Sequence, residues 1–269
     1  MCWQMTGMRQ VRVGANVRRY FFLLFAWSFA LPVAHAAVCD PKAFHGAYGL
    51  SLTGATTIGG PTRPVAVVGR LVADDSGNLS GISSASFTGL IFGNSVTGKY
   101  EAHTDCSVTW TLQDDSGNFQ HFAGTMSAGG GHVAFRQTDP GGAGNGILLR
   151  TMDGCSVSSL AGTFQLTASG RTVDVDTAVD SGPISLRGVL IADGAGNLSA
   201  ASGPDEPAQA AGMYEVAEDC FVNLALELPA DEHQAAAMHF RAILVDNGRE
   251  VLGIQTDPGT VVALRLVSH

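Results

Sequence analysis

Two histidines stand at matching places in the two halves of the chain. His121 is followed by Phe122, and His239 is followed by Phe240. A histidine in the mouth of a barrel could bind a ligand or carry a proton, because its ordinary pKa of about 6.5 lies near neutral pH. Neighbouring side chains on a β-strand point to opposite faces, and phenylalanine is the type more often buried. The pattern therefore favours a core phenylalanine beside a solvent-facing histidine, with ligand binding as the alternative.

Two tyrosines form the other repeated polar feature. Tyr100 precedes Glu101, and Tyr214 precedes Glu215. A tyrosine hydroxyl in a cavity could bind a ligand, whereas a buried tyrosine usually finds a protein partner for its hydroxyl. The pattern favours core tyrosines with outward glutamates, and the two tyrosines join the two histidines as candidate ligand-binding residues.

Catalytic motifs are absent from the sequence. It contains no G-x-S-x-G, no H-E-x-x-H, no phosphate-binding loop and no dinucleotide fingerprint. Acid/base catalysis by carboxylates needs a pair across a cleft, whereas the repeated aspartates stand at turns and beside cysteines. We therefore predict a protein that is not an enzyme, with no catalytic residue, no metal site and no cofactor.

The elements that would position these side chains come from an internal repeat. The stretch GKYEAHTDC, residues 98–106, returns as GMYEVAEDC, residues 212–220. Glycine, tyrosine, glutamate, aspartate and cysteine recur in register, which indicates one module written twice. We predict a first module over residues 37–152 and a second over residues 153–269, each long enough to bury a core.

The cysteines support the same division. If Cys2 leaves with an export signal, four remain, and four cysteines allow three pairings. The repeat favours one bridge in each module, Cys39 to Cys106 and Cys155 to Cys220. A zinc site is the alternative, but these single cysteines lack the paired C-x-x-C spacing.

Residues 1–36 have the pattern of a signal peptide. Four arginines precede an apolar run over residues 20–33, and Ala-His-Ala follows at 34–36. The run is shorter than the roughly 20 residues of a membrane-spanning helix, although an uncleaved anchor is the alternative. We expect cleavage near Ala36 and a mature protein in the periplasm or outside the cell, with no transmembrane segment.

The net charge of the mature chain limits the classes of molecule that can bind it. Removal of residues 1–36 leaves 11 basic residues against 24 acidic ones. Such a surface repels the phosphates of nucleic acid, so nucleic acid is excluded as a partner. A small apolar ligand or a protein of the cell envelope remains.

Strand and turn signals fill each module. Tyr48, Leu50 and Leu52 alternate with small or polar residues, which predicts a half-buried strand. Asp-containing Gly-Asn turns at residues 74–78, 114–118 and 193–197 predict hairpins. A calcium loop is the alternative, but the bidentate glutamate at its twelfth position is missing.

Each module closes through the same corner, Gln-Thr-Asp-Pro-Gly, at residues 137–141 and 255–259. Proline presets φ and glycine takes the left-handed position of such a turn. Eight strands in each module predict an all-β fold of two tandem up-and-down antiparallel barrels, with a β-sandwich as the alternative.

The paired pattern of Cys, Gly-x-Tyr/Phe, Asp-x-x-Gly-Asn, Gly-x-Tyr-Glu, Asp-Cys and Gln-Thr-Asp-Pro-Gly resembles exported bacterial proteins of unknown function built from a duplicated β-module. The resemblance covers nearly all of the mature chain and implies export and a β fold, but its motifs are structural. The strand count is similar to that of the lipocalin and avidin group, although the Gly-x-Trp signature of lipocalins is absent.

Two functions follow from this architecture. One is a non-enzymatic binding protein that holds a small apolar ligand inside a barrel or an envelope partner on its surface. The other is a structural or interaction protein of the envelope with filled barrel cores. An eight-stranded barrel can be filled or can hold one small ligand, so a cavity would separate the two.

Overall fold

Sixteen β-strands and three short 3₁₀ helices make up the computed structural model, which describes residues 38–57, 60–177, 179–203, 206–227 and 237–268. The predicted signal segment, residues 1–36, lies outside the described residues. In the described part of the chain, no helix is long and apolar enough to cross a membrane.

The strands fall into two sets of eight. The first set is β1 Gly46–Thr56, β2 Arg63–Ala73, β3 Asn78–Phe87, β4 Leu90–Ala102, β5 Ser107–Asp114, β6 Phe119–Met126, β7 His132–Gln137 and β8 Asn145–Arg150. The second set is β9 Ala161–Val173, β10 Asp180–Asp193, β11 Asn197–Ala201, β12 Ala210–Val216, β13 Phe221–Glu227, β14 Ala237–Val245, β15 Glu250–Gln255 and β16 Thr260–Ser268. The 3₁₀ helices are Pro41–Ala43, Val157–Ser159 and Asp246–Gly248.

Each set closes into an antiparallel up-and-down barrel. Strands follow one another around barrel 1 from β1 to β8, and β8 pairs back onto β1. Barrel 2 closes in the same way through β16 and β9. The predicted fold is confirmed and the sandwich alternative is wrong. Whether residues 37–152 and 153–269 are independent folding units stays a prediction.

The predicted hairpin turns are present, and their aspartate side chains accept hydrogen bonds from the backbone of the turn. Oδ1 of Asp74 accepts hydrogen bonds of 2.8 Å from the backbone N–H groups of Ser76 and Asn78. Asp114 and Asp193 make the equivalent contacts in their own turns. The hydrogen bonds from Asn78 lower the pKa of Asp74. These carboxylates therefore stabilise the turns through hydrogen bonds to the backbone.

One strand begins earlier than predicted. The alternation in the sequence indicates a start near Val96, whereas β4 begins at Leu90. Thr88 and Gly89 form the preceding two-residue turn with φ of 57° and 77°. Two central residues with positive φ give the twist that suits a tight hairpin. Threonine is an unusual residue there, so the turn carried no recognisable signal.

Side chains fill the interior of barrel 1. Trp110 packs against Phe122 and Phe135 at ring-centroid distances of 5.3 and 4.9 Å. The side chains of Tyr48 and Leu71 are fully buried in the same cluster. Barrel 2 is filled in the same way, by Phe164, Leu190, Leu224, Leu226, Phe240 and Leu264 among others. An eight-stranded barrel is just wide enough for such a packing.

The two predicted disulfides, Cys39–Cys106 and Cys155–Cys220, are present. Each ties the segment before the first strand of a barrel to a hairpin connection halfway around it. In barrel 1 the same segment brings Phe44 against the ring of Tyr48, at a centroid distance of 5.0 Å. Phe44 is completely buried, so it closes this end of the barrel.

The barrels pack side by side within one compact unit, Ala36–His269. Ala66 and Val68 on the outside of β2 are buried in the same hydrophobic cluster as the core of barrel 2. The backbone N–H of Gly259 donates a hydrogen bond of 2.9 Å to the carbonyl of Gly89. The two barrels are therefore in direct apolar contact, in addition to the short segment of chain that connects them.

Candidate functional site

His121 lies on the outer face of β6, as its neighbour predicts. The histidine side chain is 55 % exposed, whereas Phe122 points into barrel 1 and is 4 % exposed. Nδ1 of His121 lies 2.7 Å from Oδ1 of Asp139. The backbone N–H of His121 and the side-chain amide of Gln137 donate to Oδ2 of Asp139, at 2.8 and 3.1 Å. We call these three residues the His–Asp–Gln unit.

Barrel 2 contains the same unit. Nδ1 of His239 lies 2.7 Å from Oδ1 of Asp257. The His239 backbone N–H and the Gln255 amide donate to Oδ2 of Asp257 at 2.9 and 2.8 Å. In both copies the aspartate follows its histidine by 18 residues. The geometry of the unit has therefore been kept through the duplication.

The Gln-Thr-Asp-Pro-Gly corner positions the aspartate. Phe122 on β6 faces Gln137 at the end of β7, so the corner leaves the sheet beside the histidine. The backbone N–H of Thr138 donates to the carbonyl of His121 at 2.8 Å. Gly141 then takes a φ of 83°, which glycine adopts without a steric penalty. The turn motif thus places the carboxylate of Asp139 beside His121 on the neighbouring strand.

The charge of the aspartate sets the tautomer of the histidine. Burial raises the pKa of Asp139, but hydrogen bonds from His121 and Gln137 outweigh burial and the net pKa lies below the ordinary value. The balance at Asp257 has the same direction. An ionised carboxylate only accepts hydrogen bonds, so the proton of the neutral imidazole sits on Nδ1. The unprotonated Nε2 is therefore free to accept a hydrogen bond.

His121 belongs to groove A, a depression of about 660 Å³ on the outside of barrel 1. Lys99, Thr111 and His121 face one another in register across β4, β5 and β6. Glu101 and Thr109 form the next row. Groove A therefore presents an imidazole, an ammonium, a carboxylate and hydroxyl groups on one face.

Groove B is the equivalent depression on barrel 2, of about 480 Å³. It contains His239, Glu215 and Arg241 on the outer faces of β12 and β14. The guanidinium of Arg241 stacks on the ring of Phe221 at 4.4 Å. Histidine and glutamate thus occur at the same places in both grooves, while the other lining residues differ.

The candidate tyrosines lie on the inner faces of the barrels, whereas the histidines face outward. The hydroxyl of Tyr100 donates to the carbonyl of Asp74 at 2.6 Å. The hydroxyl of Tyr214 donates to the carbonyls of Leu160 at 2.6 Å and Val157 at 3.1 Å. Burial raises the pKa of Tyr100. Tyr100 lines groove A together with His121, and Tyr214 lines groove B together with His239. The tyrosine hydroxyls are hydrogen-bonded to backbone carbonyls, and a ligand-binding role for either pair stays a prediction.

The openings that reach the barrel interiors are small. The opening of barrel 1 lies beside Leu52, Val67 and Asn94 and measures about 70 Å³. The opening of barrel 2 lies beside Leu186 and Leu226 and measures about 80 Å³. Pockets for small molecules usually measure about 300–1,000 Å³. Grooves A and B reach that range, and so does a depression of about 540 Å³ beside Pro41 and Asp75.

Sequence reasoning missed the partners of the histidines. Asp139 and Asp257 stand in a turn motif, and the sequence pattern indicates turn residues only. A signal was present, because the histidine and the corner keep the same separation in both modules. Only strand pairing shows that this separation brings the two side chains together.

The described residues hold no group of three or more histidine, cysteine, aspartate or glutamate side chains that could bind a metal ion. No model of a known protein family matches the chain, and no curated protein matches its sequence.

Proposed function

We propose that this chain is an exported, non-enzymatic interaction protein that binds a partner through grooves A and B. The observation that carries the proposal is the repeated His–Asp–Gln unit, which holds an imidazole in one tautomer on the outside of each barrel. Besides stabilising the corner, the unit fixes which ring nitrogen of the histidine faces the solvent. Two copies of one oriented group fit repeated contact with a partner.

The barrel interiors favour a surface function over a ligand inside. Aromatic and aliphatic side chains occupy them, and the openings of about 70 and 80 Å³ are far below the usual size of a ligand pocket. The barrels then act as rigid frames, stapled by one disulfide each. Disulfides persist in oxidising compartments, which agrees with the proposed export.

The groove chemistry indicates the kind of partner. Nε2 of the neutral histidine accepts a hydrogen bond, and Glu101 or Glu215 adds a carboxylate on the same face. A partner that offers N–H or O–H groups matches these acceptors, and acceptor groups of the same partner match Lys99 and Arg241. A protein of the cell envelope meets this requirement, whereas a purely apolar ligand does not.

A catalytic role for the histidines is less well supported. A hydrolase of the Ser–His–Asp type needs a nucleophilic hydroxyl bonded to the second ring nitrogen. In the described residues, no side-chain hydroxyl is hydrogen-bonded to Nε2 of His121 or of His239. The aspartate that orients each histidine is present, but the described residues place no nucleophilic hydroxyl on the imidazole.

The experiment is a crosslinking and affinity comparison in the envelope fraction of the native host. The wild type, the double variant His121→Ala/His239→Ala and the control His132→Ala, an exposed histidine outside both grooves, are compared by quantitative mass spectrometry. One partner retained by the wild type and the control but lost from the double variant is the expected result. A partner retained by all three would reject the grooves as the binding surface.

Native mass spectrometry of the same preparations tests the competing function. A small molecule that remains bound to the wild type and to the double histidine variant would place the ligand inside a barrel. Edman sequencing of the purified protein should begin at or near Ala37. A mature protein that still carries Arg18 and Arg19 would contradict cleavage near Ala36.

A further inference from the structure

The two barrels contact each other through different faces of the same module. Barrel 1 contributes the outer face of β1–β3, and barrel 2 contributes the outer face of β14–β16. The counterparts of β14–β16 in barrel 1 are β6–β8, and the counterparts of β1–β3 in barrel 2 are β9–β11. The contact is therefore heterologous, and a heterologous contact can repeat into rings or filaments.

The barrel 2 side of the contact contains a cluster of apolar side chains beside the ion pair of Glu250 and Arg265. Ile243 faces Leu252 across β14 and β15, and both point out of the barrel. Val245 and Ile254 lie on the same outer face. These four side chains are at most 1 % exposed, although they point away from their own core. They are buried because barrel 1 covers them.

The barrel 1 side combines apolar and small polar side chains. Ala66 and Val68 are buried there. Gly49 lies beside them, and a Cβ on Gly49 would come within 2.9 Å of Ile243 and overlap Val245. The absence of a side chain at Gly49 is therefore a condition of the close approach of the barrels.

The face of barrel 1 that corresponds to β14–β16 is exposed and less apolar than its counterpart. In barrel 1, Thr125 faces Ala134 across β6 and β7, as Ile243 faces Leu252 in barrel 2. The same register places Arg136 at the position of Ile254. Thr125, Ala134 and Arg136 are all exposed.

The face of barrel 2 that corresponds to β1–β3 of barrel 1 carries polar side chains. In barrel 2, Gln165 takes the place of Gly49, because it follows Phe164 as Gly49 follows Tyr48. Arg187 takes the place of Val68 in the corresponding register. Gln165 and Arg187 are exposed.

We infer that the polar side chains on these two exposed faces prevent the heterologous contact from repeating. The chain is then a pair of barrels whose contact faces bind each other and do not bind a second chain. Burial of an unpaired guanidinium is strongly unfavourable, and the side chain of Gln165 would occupy the space that Gly49 leaves open. Repeat proteins use polar outer faces on their terminal units in the same way. The excluded partner is a second copy of this chain.

Two single-face variants test the inference. Thr125→Ile/Arg136→Ile copies the apolar face of barrel 2 onto barrel 1, and Gln165→Gly/Arg187→Val copies the face of barrel 1 onto barrel 2. Each full-length variant alone should stay monomeric in sedimentation velocity. An equimolar mixture should associate into a species of two chains, at least about tenfold more strongly than wild type with itself. Near-UV circular dichroism establishes that each variant is folded.

A converse variant tests the same idea at the existing contact. Gly49→Gln/Val68→Arg places the capping residues of barrel 2 inside the contact between the barrels. The wild type should unfold in one calorimetric transition, and the two barrels of the variant should unfold separately. Folded single-face variants that stay monomeric when mixed, a wild type that itself forms rings or filaments, or a converse variant that unfolds like wild type would each overturn the inference.

Discussion

Ser86 in barrel 1 donates a hydrogen bond of 2.7 Å from its hydroxyl to the backbone carbonyl of Thr260 in barrel 2. Ser86 is fully buried although it points away from the core of its own barrel. The hydrogen bond lies beside the apolar contact that Ala66 and Val68 make with the second barrel. The two copies of the module are thus joined by a polar contact as well as by hydrophobic burial.

Ser86→Ala should destabilise the protein by about 1 kcal/mol, because it removes this bond and leaves the carbonyl of Thr260 without it. Ser84→Ala is the matched control. Ser84 is buried on the same strand and makes no side-chain hydrogen bond in the described structure, so its change should stay within about 0.5 kcal/mol. Urea unfolding measures both. Equal effects of the two substitutions would mean that the hydrogen bond does not contribute.

Gly49→Ala should destabilise the protein by about 1–3 kcal/mol, because the new methyl group would overlap Val245 across the contact between the barrels. Gly93→Ala is the control, since a Cβ on Gly93 meets no atom within 4 Å. The control should be neutral or slightly stabilising. Thermal unfolding compares the two, and a neutral Gly49→Ala would show that the barrels separate easily.

Fragments 37–152 and 153–269 should each fold in an oxidising compartment with one disulfide, since each barrel closes its own hydrogen bonds. Each should be less stable than in the intact chain, because the split exposes apolar residues such as Val68 and Ile243. Mixed fragments should form a one-to-one complex. Near-UV circular dichroism and sedimentation test this. Folding of the mixture without folding of either fragment alone would contradict independent modules.

Asp139→Asn/Asp257→Asn should reduce stability at neutral pH by about 1–3 kcal/mol per site, because charged acceptors make the stronger hydrogen bonds. The pKa of both aspartates is lowered in the folded protein. Their contribution is therefore complete above the unfolded value of about 3.9 and is lost as the pH falls through the lowered pKa. The difference between wild type and variant should shrink with acidification below about pH 4.

Urea unfolding at several pH values measures this difference. The control is Asp153→Asn, at an exposed position between the barrels with no hydrogen bond in the described structure. Its unfolding curve should follow that of the wild type across the acid range. A constant gap between wild type and the double aspartate variant down to low pH would contradict ionised partners for the histidines.

Much of the fold could be predicted because its signals are local or repeated. Alternation places Tyr48 inside its barrel and His121 outside, since a strand has a period of two. The repeat selects Cys39–Cys106 among the possible bridges. The start of β4 was not predictable in this way, because Thr88 takes a positive φ that its residue type does not announce.

The sequence by itself determined the number of strands, their inward faces, the hairpin turns that contain aspartate and the disulfide pairing, because each depends on neighbours or on the repeat. Only the tertiary structure decided what the outward faces do. Val68 and Arg187 occupy equivalent places, but only Val68 is covered by another barrel. Asp139 likewise reaches His121 because β6 and β7 pair in one register. The burial of an outer face and the meeting of distant side chains depend on which surfaces come together in space, and no local pattern encodes that choice.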